Sequence, residues 1–532
     1  MPLSPLTAES VTKSYADRTV LDGVGLTAAP GQRVGLIGEN GVGKSTLLRL
    51  LAGVEQPDAG TISFPLDLAY VSQEPSFQPQ QTLAEVLDEA LAPLHQAVRD
   101  VERLATAMTH DNVADEFNER LEWARSHDAW DANRRATLAV ASLGLGEVPR
   151  TRLIGELSGG QRTRLALAVV ITRQPECILL DEPTNHLDDE AMELLETFLV
   201  GLPGVVVAAS HDRVFLDRVC THLVDLDPSA LGTDGAGGNR FGGTFTEYLG
   251  HKAAARARWE QTYLDQQARL NELRAATKLT TQNIAHDRQP RDNDKFIYSF
   301  KGGRVQGALA RRVRDAERRL AVAEREQVRK PPALLRFAAP LAAPDSGERL
   351  ALSIRDLTVP GRVEVPLLDV PTGGKVLITG ANGSGKSSLL SVIVGTLAPV
   401  GGQVSVGARR VELLEQDVTF ADMGLAADQT FGAAVSDGSA PLAELGLLHP
   451  RDAGKPVGNL SVGQRRRLRL AILIARHPDL LLLDEPTNHI SLTLATELEQ
   501  ALHTTSGTVL VASHDRWLRR RWEQQVLALP AA

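Results

Sequence analysis

One pattern constrains this chain more than any other: Gly38-Glu39-Asn40-Gly41-Val42-Gly43-Lys44-Ser45 returns as Gly380-Ala381-Asn382-Gly383-Ser384-Gly385-Lys386-Ser387. Both fit G-x-x-x-x-G-K-[ST], and each follows an apolar run that reads as a strand. In such a loop the glycines let backbone N–H groups turn inward around phosphates, the lysine reaches the β and γ phosphates, and the serine hydroxyl ligates Mg²⁺. Two nucleotide sites are therefore expected on one chain. Gly38, Asn40, Gly41, Gly43, Lys44, Ser45 and Thr46 would line one; Gly380, Asn382, Gly383, Gly385, Lys386, Ser387 and Ser388 would line the other. A lone match is sometimes an ordinary glycine-rich turn, but two copies with matching downstream motifs make that reading negligible.

The two halves keep step with one interruption. Lys44 and Lys386 are 342 residues apart and Gln73 and Gln416 are 343 apart, whereas Ser158 and Ser461, Asp181 and Asp484, and His211 and His514 are each 303 apart. The first half thus carries roughly 40 extra residues, placed within 93–135, where His95–Leu104 and Ala114–Arg125 have helix-favouring composition with charged faces. This reads as an inserted helical arm, or as a helical insert without function.

A chain of 532 residues, 43% of them hydrophobic, is long enough for several packed domains. No apolar stretch approaches the length of a membrane span and the first residues lack a signal-peptide pattern, so a cytoplasmic protein without stable membrane insertion is expected. Two cysteines, Cys177 and Cys220, are too few for a disulfide framework or for paired zinc modules. The net charge of −9 is unevenly spread: His251 to Pro332 holds 19 Lys plus Arg against 10 Asp plus Glu, so that segment is +9 and the remainder −18. A basic module between acidic ones is where nucleic acid or an anionic membrane would bind.

Within that module Trp259, Tyr263, Leu270 and Leu273, and then Leu309, Val313, Ala316, Leu320 and Ala323, recur at heptad-like spacing. Two helices packed as an antiparallel hairpin follow, the first over about 251–283 and about 50 Å long. Pro331 and Pro332 stop the second helix. The tip, about 284–306, carries Phe296, Tyr298 and Phe300, able either to stack on exposed bases or to hold the tip together. Domain boundaries are expected at 1–248, 249–332 and 333–532.

Ile178-Leu179-Leu180-Asp181-Glu182 and Leu480-Leu481-Leu482-Leu483-Asp484-Glu485 each read as a buried strand ending in two carboxylates. Downstream of a phosphate loop, the aspartate suits Mg²⁺ and the glutamate suits polarisation of the attacking water. His211 and His514, each inside Ser-His-Asp, are placed to meet the γ phosphate or are satisfied structural residues. Leu157-Ser158-Gly159-Gly160-Gln161 opens an amphipathic run, setting free N–H groups and a serine at a helix N-terminus, an anion-binding end.

The order of phosphate loop, Gln73, Leu-Ser-Gly-Gly-Gln, Asp-Glu and His, present in both halves, resembles the ATP-binding-cassette superfamily. The resemblance implies an α/β chain of two such nucleotide-binding domains in tandem, joined by a long α-helical hairpin. It implies ATP and Mg²⁺ as cofactors, ATPase activity, Gln73 and Gln416 as metal ligands beside Ser45, Asp181, Ser387 and Asp484, and head-to-tail pairing of the domains within a monomer. Lys44 would then face Ser461, Gly463 and Gln464, and Lys386 would face Ser158, Gly159, Gly160 and Gln161. The second signature departs from the pattern, with Val462 where glycine is usual, and Ser491 stands where the first half has Asp188. Tyr15 sits where the family stacks an aromatic on adenine; it would stack there or pack on its strand, and Leu357 to Val363 offers no aromatic. Unequal sites are expected.

Asp181-Glu182-Pro183-Thr184-Asn185-His186-Leu187 and Asp484-Glu485-Pro486-Thr487-Asn488-His489-Ile490 resemble the form typical of the ABC-F branch, as do Gly243-Thr244-Phe245-Thr246-Glu247-Tyr248, the basic hairpin and the arm. In that branch the hairpin enters the ribosomal E site towards P-site tRNA and 23S rRNA, and the arm lies near the stalk. The resemblance thus implies ribosome contacts by Phe296, Tyr298, Phe300, Lys301, Arg304, Arg311 and Arg312. The long tip and the Leu460-Ser461-Val462-Gly463-Gln464 signature resemble the antibiotic-resistance subgroup of high-GC actinobacteria, which implies ribosome protection that reshapes the peptidyl-transferase region and dislodges macrolide-type drugs; a housekeeping translation factor of the same branch is the nearest rival. The ATPase subunit of a drug exporter and a DNA-associated ATPase are rivals from other classes.

Overall fold

The structure is a computed structural model of the chain. It describes residues 4–16, 18–38, 41–107, 113–185, 187–227, 239–282, 314–315, 317–328, 330–331, 349–381, 383–416, 418–435, 441–448, 450–487 and 492–530. It divides into two compact units: residues 1–228, 236–246 and 333–532 form one, and residues 229–235 and 247–332 the other.

The first unit holds both cassettes. In the first cassette β1 (Leu6–Tyr15) pairs antiparallel with β2 (Arg18–Ala28), and β3 (Arg33–Ile37) feeds the phosphate loop and α1 (Lys44–Leu51). The strands β4 (Ala59–Ser63) and β5 (Leu68–Val71) come next, and β4 joins β1 and β2 in a small sheet ordered β2-β1-β4. Helices α2 (Leu83–Ala107), α3 (Ala114–Ser126) and α4 (Ala132–Val140) come before α5 (Gly159–Arg173), β6 (Cys177–Asp181), α6 (Asp189–Gly201), β7 (Val205–Ala209), α7 (Arg213–Val219), β8 (His222–Asp225) and β9 (Asn239–Gly242). The larger sheet runs β5-β6-β7-β3-β8-β9, parallel except where β9 meets β8.

Parallel strands buried on both faces need unbroken apolar runs, and every residue of β6 and β7 is buried. The parallel arrangement has a direct consequence for the site. Leu36, Asp181 and Ala209 share one register level, so the phosphate loop, the Asp181-Glu182 pair and Ser210-His211 leave the sheet together at its carboxyl edge.

Helix α2 runs through Pro93 without a break, and Leu91, Leu94, Ala97 and Val101 pack with Ala124, Ala129, Ala132 and Ala136 into a separate small core. Asp67 ties it down, accepting from the buried His127 Nε2 at 3.0 Å and from Arg173 at 3.0 Å. His127 stacks on Trp123 with ring centroids 3.9 Å apart.

In the unit of residues 247–332, α8 (Phe245–Gln282), which begins in the first unit, pairs with α9, the helix over 317–325. Arg274 meets Glu324 at 2.9 Å and Gln266 accepts from the Val328 N–H at 2.8 Å, a pairing that runs antiparallel. Trp259 and Leu270 on the apolar seam are buried. The helix begins six residues earlier than its seam predicts. Phe245 is fully buried with its ring edge-on to Trp517, and Asp217 accepts from the Thr246 N–H at 2.7 Å, satisfying one of the free donors of the helix start.

The second cassette repeats the first: β10 (Leu350–Val359), β11 (Val363–Pro371), β12 (Lys375–Thr379), α10 (Lys386–Val394), β13 (Gly401–Val406), β14 (Val411–Leu414), α11 (Ala427–Ala434), α12 (Pro450–Ala453), α13 (Val462–Ala475), β15 (Leu480–Asp484), α14 (Leu492–Thr504), β16 (Thr508–Ala512), α15 (Arg516–Arg521) and β17 (Gln525–Ala528). Its sheets run β11-β10-β13 and β14-β15-β16-β12-β17. Here α11 and α12 occupy the chain interval that α2, α3 and α4 fill in the first half.

Candidate active sites

Each phosphate loop is shaped by glycines that no other residue can replace without strain. Gly43 (φ 116°) and Gly385 (φ 90°) begin α1 and α10, and a Cβ on either would lie 2.6 Å from Leu21 or 2.0 Å from the Arg362 carbonyl oxygen. The loops close on their own lysines: Lys44 Nζ donates to the Gly38 carbonyl at 2.8 Å, and Lys386 Nζ to Gly380 at 2.9 Å and Ala381 at 3.2 Å. Gly41 and Gly383 also have positive φ, and Thr46 is buried behind its loop. Asn40 and Asn382 lie outside the described residues.

Ser45 Oγ donates to Asp181 Oδ1 at 3.1 Å. Burial holds both Asp181 and Asp484 above the usual carboxylate range, and hydrogen bonds from Ser45 and Ser387 offset part of that. Asp484 Oδ1 is a buried oxygen with no hydrogen-bond partner among the described residues. A serine hydroxyl beside an aspartate carboxylate is the hard oxygen set that Mg²⁺ takes, and an uncompensated buried carboxylate oxygen fits a cation. Gln73 and Gln416 are exposed on the loops after β5 and β14.

The carboxylates that follow, Glu182 and Glu485, both adopt left-handed backbone, with φ of 51° and 47°. Their N–H groups donate to Ala209 and Ala512 at 2.8 Å, which pins each glutamate to the neighbouring strand. At Glu182, desolvation by burial pushes the carboxyl up to about 8, against the pull of Lys44. His211 approaches it with Nε2 at 3.4 Å from Oε1, and the His211 N–H donates to Oε2 at 3.1 Å. At Glu485 the grip is tighter: His514 Nδ1 is 2.7 Å from Oε1, Ser513 Oγ donates to Oε2 at 3.2 Å, and Lys386 Nζ is 3.9 Å away. The hydrogen bond that His514 donates to the Glu485 carboxylate raises its imidazole above its ordinary value.

Ser158 and Ser461 cap α5 and α13 identically: each hydroxyl accepts from the N–H of Gln161 or Gln464 at 3.2 Å, and each glutamine carbonyl oxygen accepts from the serine N–H at 2.9 Å. Gly159, Ser158 and Ser461 are exposed, Gly160 is partly so, and Gly463 is buried. Val462 is 56% exposed as the first residue of α13, and its bulk leaves the helix start unchanged. Asp188 caps α6 through the Ala191 N–H at 2.9 Å; Ser491 lies outside the described residues.

Tyr15, the last residue of β1, has 41% of its surface exposed. Its hydroxyl donates to Glu55, which also accepts from Arg49. The hairpin residues Phe296, Tyr298, Phe300, Lys301, Arg304, Arg311 and Arg312 lie outside the described residues.

One set of residues was not anticipated. Arg213, buried at the start of α7, donates to Glu499 and, at 2.7 Å, to Asp515; Arg516 donates to Glu196 at 2.5 Å and Asp212 at 3.1 Å. These pairs join the cassettes across 286 to 320 residues of sequence, and Arg519 adds Asp189 at 2.9 Å. Asp212 and Asp515 directly follow the two histidines and cap α7 and α15, so each histidine is one residue from a bond to the other cassette. The signal was present: Glu196/Glu499, Asp212/Asp515 and Arg213/Arg516 all repeat at a separation of 303.

A family model described as "ABC transporter" matches residues 21–185 and 365–488. The tylosin resistance ATP-binding protein TlrC of Streptomyces fradiae is 40% identical over 547 residues, spanning 99% of this chain and 98% of that protein. The energy-dependent translational throttle protein EttA of Mycobacterium tuberculosis is 31% identical over 98% of this chain and 90% of its own length. Among solved structures, the complex of archaeal ribosomal stalk protein aP1 and ribosome recycling factor aABCE1 superposes with a TM-score of 0.59 at 17% identity, over 98% of this chain and 87% of that one, a likeness of fold. The chain belongs to the ABC ATPases, in the ABC-F branch: an ATP-binding, ATP-hydrolysing protein of two cassettes joined by a helical hairpin. No helix among the described residues is long and apolar enough to cross a membrane.

Proposed function

We propose that this ATPase binds the ribosome at its E site when ATP draws the cassettes together, and that its hairpin reshapes the peptidyl-transferase region and dislodges antibiotics of the macrolide type. The observation that carries this reading is full-length similarity to a tylosin resistance protein, at 40% identity, in a chain whose hairpin segment bears a charge of +9. Lys and Arg off an apolar seam neutralise RNA phosphates, and Arg does so bidentately. Arg314, Arg318, Arg319 and Arg325 lie on or beside α9 in that arrangement.

At each site Glu182 or Glu485 polarises the attacking water, and His211 or His514 meets the γ phosphate. Ser45, Gln73 and Asp181, and Ser387, Gln416 and Asp484, would hold Mg²⁺, which would supply positive charge against the phosphates. Tyr15 stacks on adenine at the first site. The signatures Ser158-Gly159-Gly160-Gln161 and Ser461-Val462-Gly463-Gln464 close over the opposite phosphate loops. Phe296, Tyr298 and Phe300, with Lys301, Arg304, Arg311 and Arg312, contact RNA or tRNA.

In vitro translation with a panel of peptidyl-transferase and tunnel inhibitors, tylosin included, tests the proposal. Rescue by the protein and ATP supports it, and loss of rescue on replacing Phe296, Tyr298 and Phe300 with alanine, at unchanged ATPase activity, assigns it to the tip. A second reading, a housekeeping translation factor acting at the same ribosomal site, draws on the 31% identity to a translational throttle protein. It predicts altered translation without rescue from any drug.

A further inference from the structure

The two cassettes differ at a position beneath their catalytic carboxylates. Arg466, one turn into α13, is 2% exposed. Its guanidinium donates to the backbone carbonyls of Asp484 at 2.5 Å and Glu485 at 2.6 Å, and to that of Gln416 at 3.1 Å. A rigid five-donor fork suits this task, because it can bridge acceptors on different segments at once. The residue 303 positions earlier is Thr163, whose hydroxyl turns back to the Gly159 carbonyl of its own helix at 3.2 Å, and the Glu182 carbonyl accepts from the Asn185 N–H at 3.2 Å.

We propose that Arg466 is a positioning residue for ATP hydrolysis at the Lys386 site alone. It fixes the left-handed Glu485 peptide and the loop of Gln416 to the signature helix, so that the two segments bearing the carboxylates and the glutamine move as one piece. Left-handed backbone at a non-glycine residue costs about 1–2 kcal/mol and persists where surrounding bonds over-determine it. Two adjacent carbonyls held by one buried cation supply that restraint for Glu485. At the Lys44 site Thr163 makes no such link among the described residues, so the glutamine loop, signature helix and Glu182 adjust separately.

The proposal rests on the reading of Glu182 and Glu485 as the groups that activate water. Each site is therefore isolated by silencing the other. In full-length protein carrying Glu182→Gln, Arg466→Thr should lower kcat about tenfold, the scale on which a misplaced general base loses rate, with KM for ATP within twofold. In protein carrying Glu485→Gln the same change should alter kcat less than twofold. Arg466→Lys, which keeps a charge and some donors, should recover part of the loss in the first background.

A purely structural role in seating α13 would lower both backgrounds alike, because Ser461 at the start of that helix serves the Lys44 site, and equal losses overturn the proposal. So does an unchanged rate for Arg466→Thr with Glu182→Gln. Should the threonine variant fail to fold, Arg466→Lys decides: a loss confined to the Glu182→Gln background supports the assignment, and an equal or absent loss refutes it. If Glu485→Gln itself leaves turnover at the Lys386 site intact, the reading of the carboxylates falls instead.

Discussion

The two phosphate loops are flanked by the same parts in the same order, yet the glutamate and histidine beside each are held differently. Around Lys386, the glutamate is gripped by His514 at 2.7 Å, by Ser513 and by the field of Lys386, and its peptide is clamped by Arg466. Around Lys44, Glu182 lies 3.4 Å from His211 Nε2, and its carboxyl is pushed up to about 8 by burial. Duplication fixes the positions of groups along the chain; the side chains packed beneath them decide whether each group stands ready.

Replacing both glutamates should have the largest effect. Glu182→Gln with Glu485→Gln should cut steady-state ATP turnover by more than 100-fold, within the range that general bases contribute. Of the single variants Glu485→Gln should lose more than Glu182→Gln, as phosphate release assays will show. Equal losses would remove the distinction between the sites.

The ion pairs between the cassettes offer a second contrast. Glu196 is shared by Arg516 and Arg218, whereas Glu499 has no second ion pair of that kind among the described residues. Arg213→Ala should therefore destabilise the first unit by about 3–5 kcal/mol, the cost of stranding buried carboxylates. Arg516→Ala should cost about 1–3 kcal/mol. Denaturant midpoints that rank the two the other way would refute this account of the pairs.

The pH dependence of stability separates the sites further. An unfolded Glu182 loses its proton near the ordinary carboxylate value, and the folded one near 8, so stability falls as pH rises through that window. Glu182→Gln should then melt above the parent protein at pH 8, and the gap should close towards pH 5. A gap independent of pH would mean that Glu182 is charged throughout. The smallest effect is expected at Val462. Its side chain is exposed at an otherwise ordinary helix start, so Val462→Gly should change the thermal midpoint by less than 2 °C, roughly the shift of a surface change within ±0.5 kcal/mol.

Much of this was legible in the sequence, for physical reasons. Phosphate binding requires glycines, a lysine and a hydroxyl at fixed spacing, and parallel strands require unbroken apolar runs such as Leu480–Leu483, so loops, strands and carboxylates could be placed by inspection. The hairpin seam was readable because Trp259 and Leu270 repeat at helical spacing. What escaped depends on contacts distant in sequence. Phe245 extends α8 because it packs against Trp517, 272 residues away, and no local signal marks that. Arg213 and Glu499 read as surface charges until folding brings them together. Arg466 sits in a run of arginines, Arg465-Arg466-Arg467, that looks solvated, and burial alone distinguishes the middle one.

We propose that ATP binding by the paired cassettes drives the basic hairpin into the ribosome. Co-sedimentation of the Glu182→Gln, Glu485→Gln protein with 70S particles tests it most directly. Pelleting is expected with ATP and little with ADP, with release as salt is raised. Equal pelleting in both nucleotides, or none at low salt with ATP bound, would contradict it.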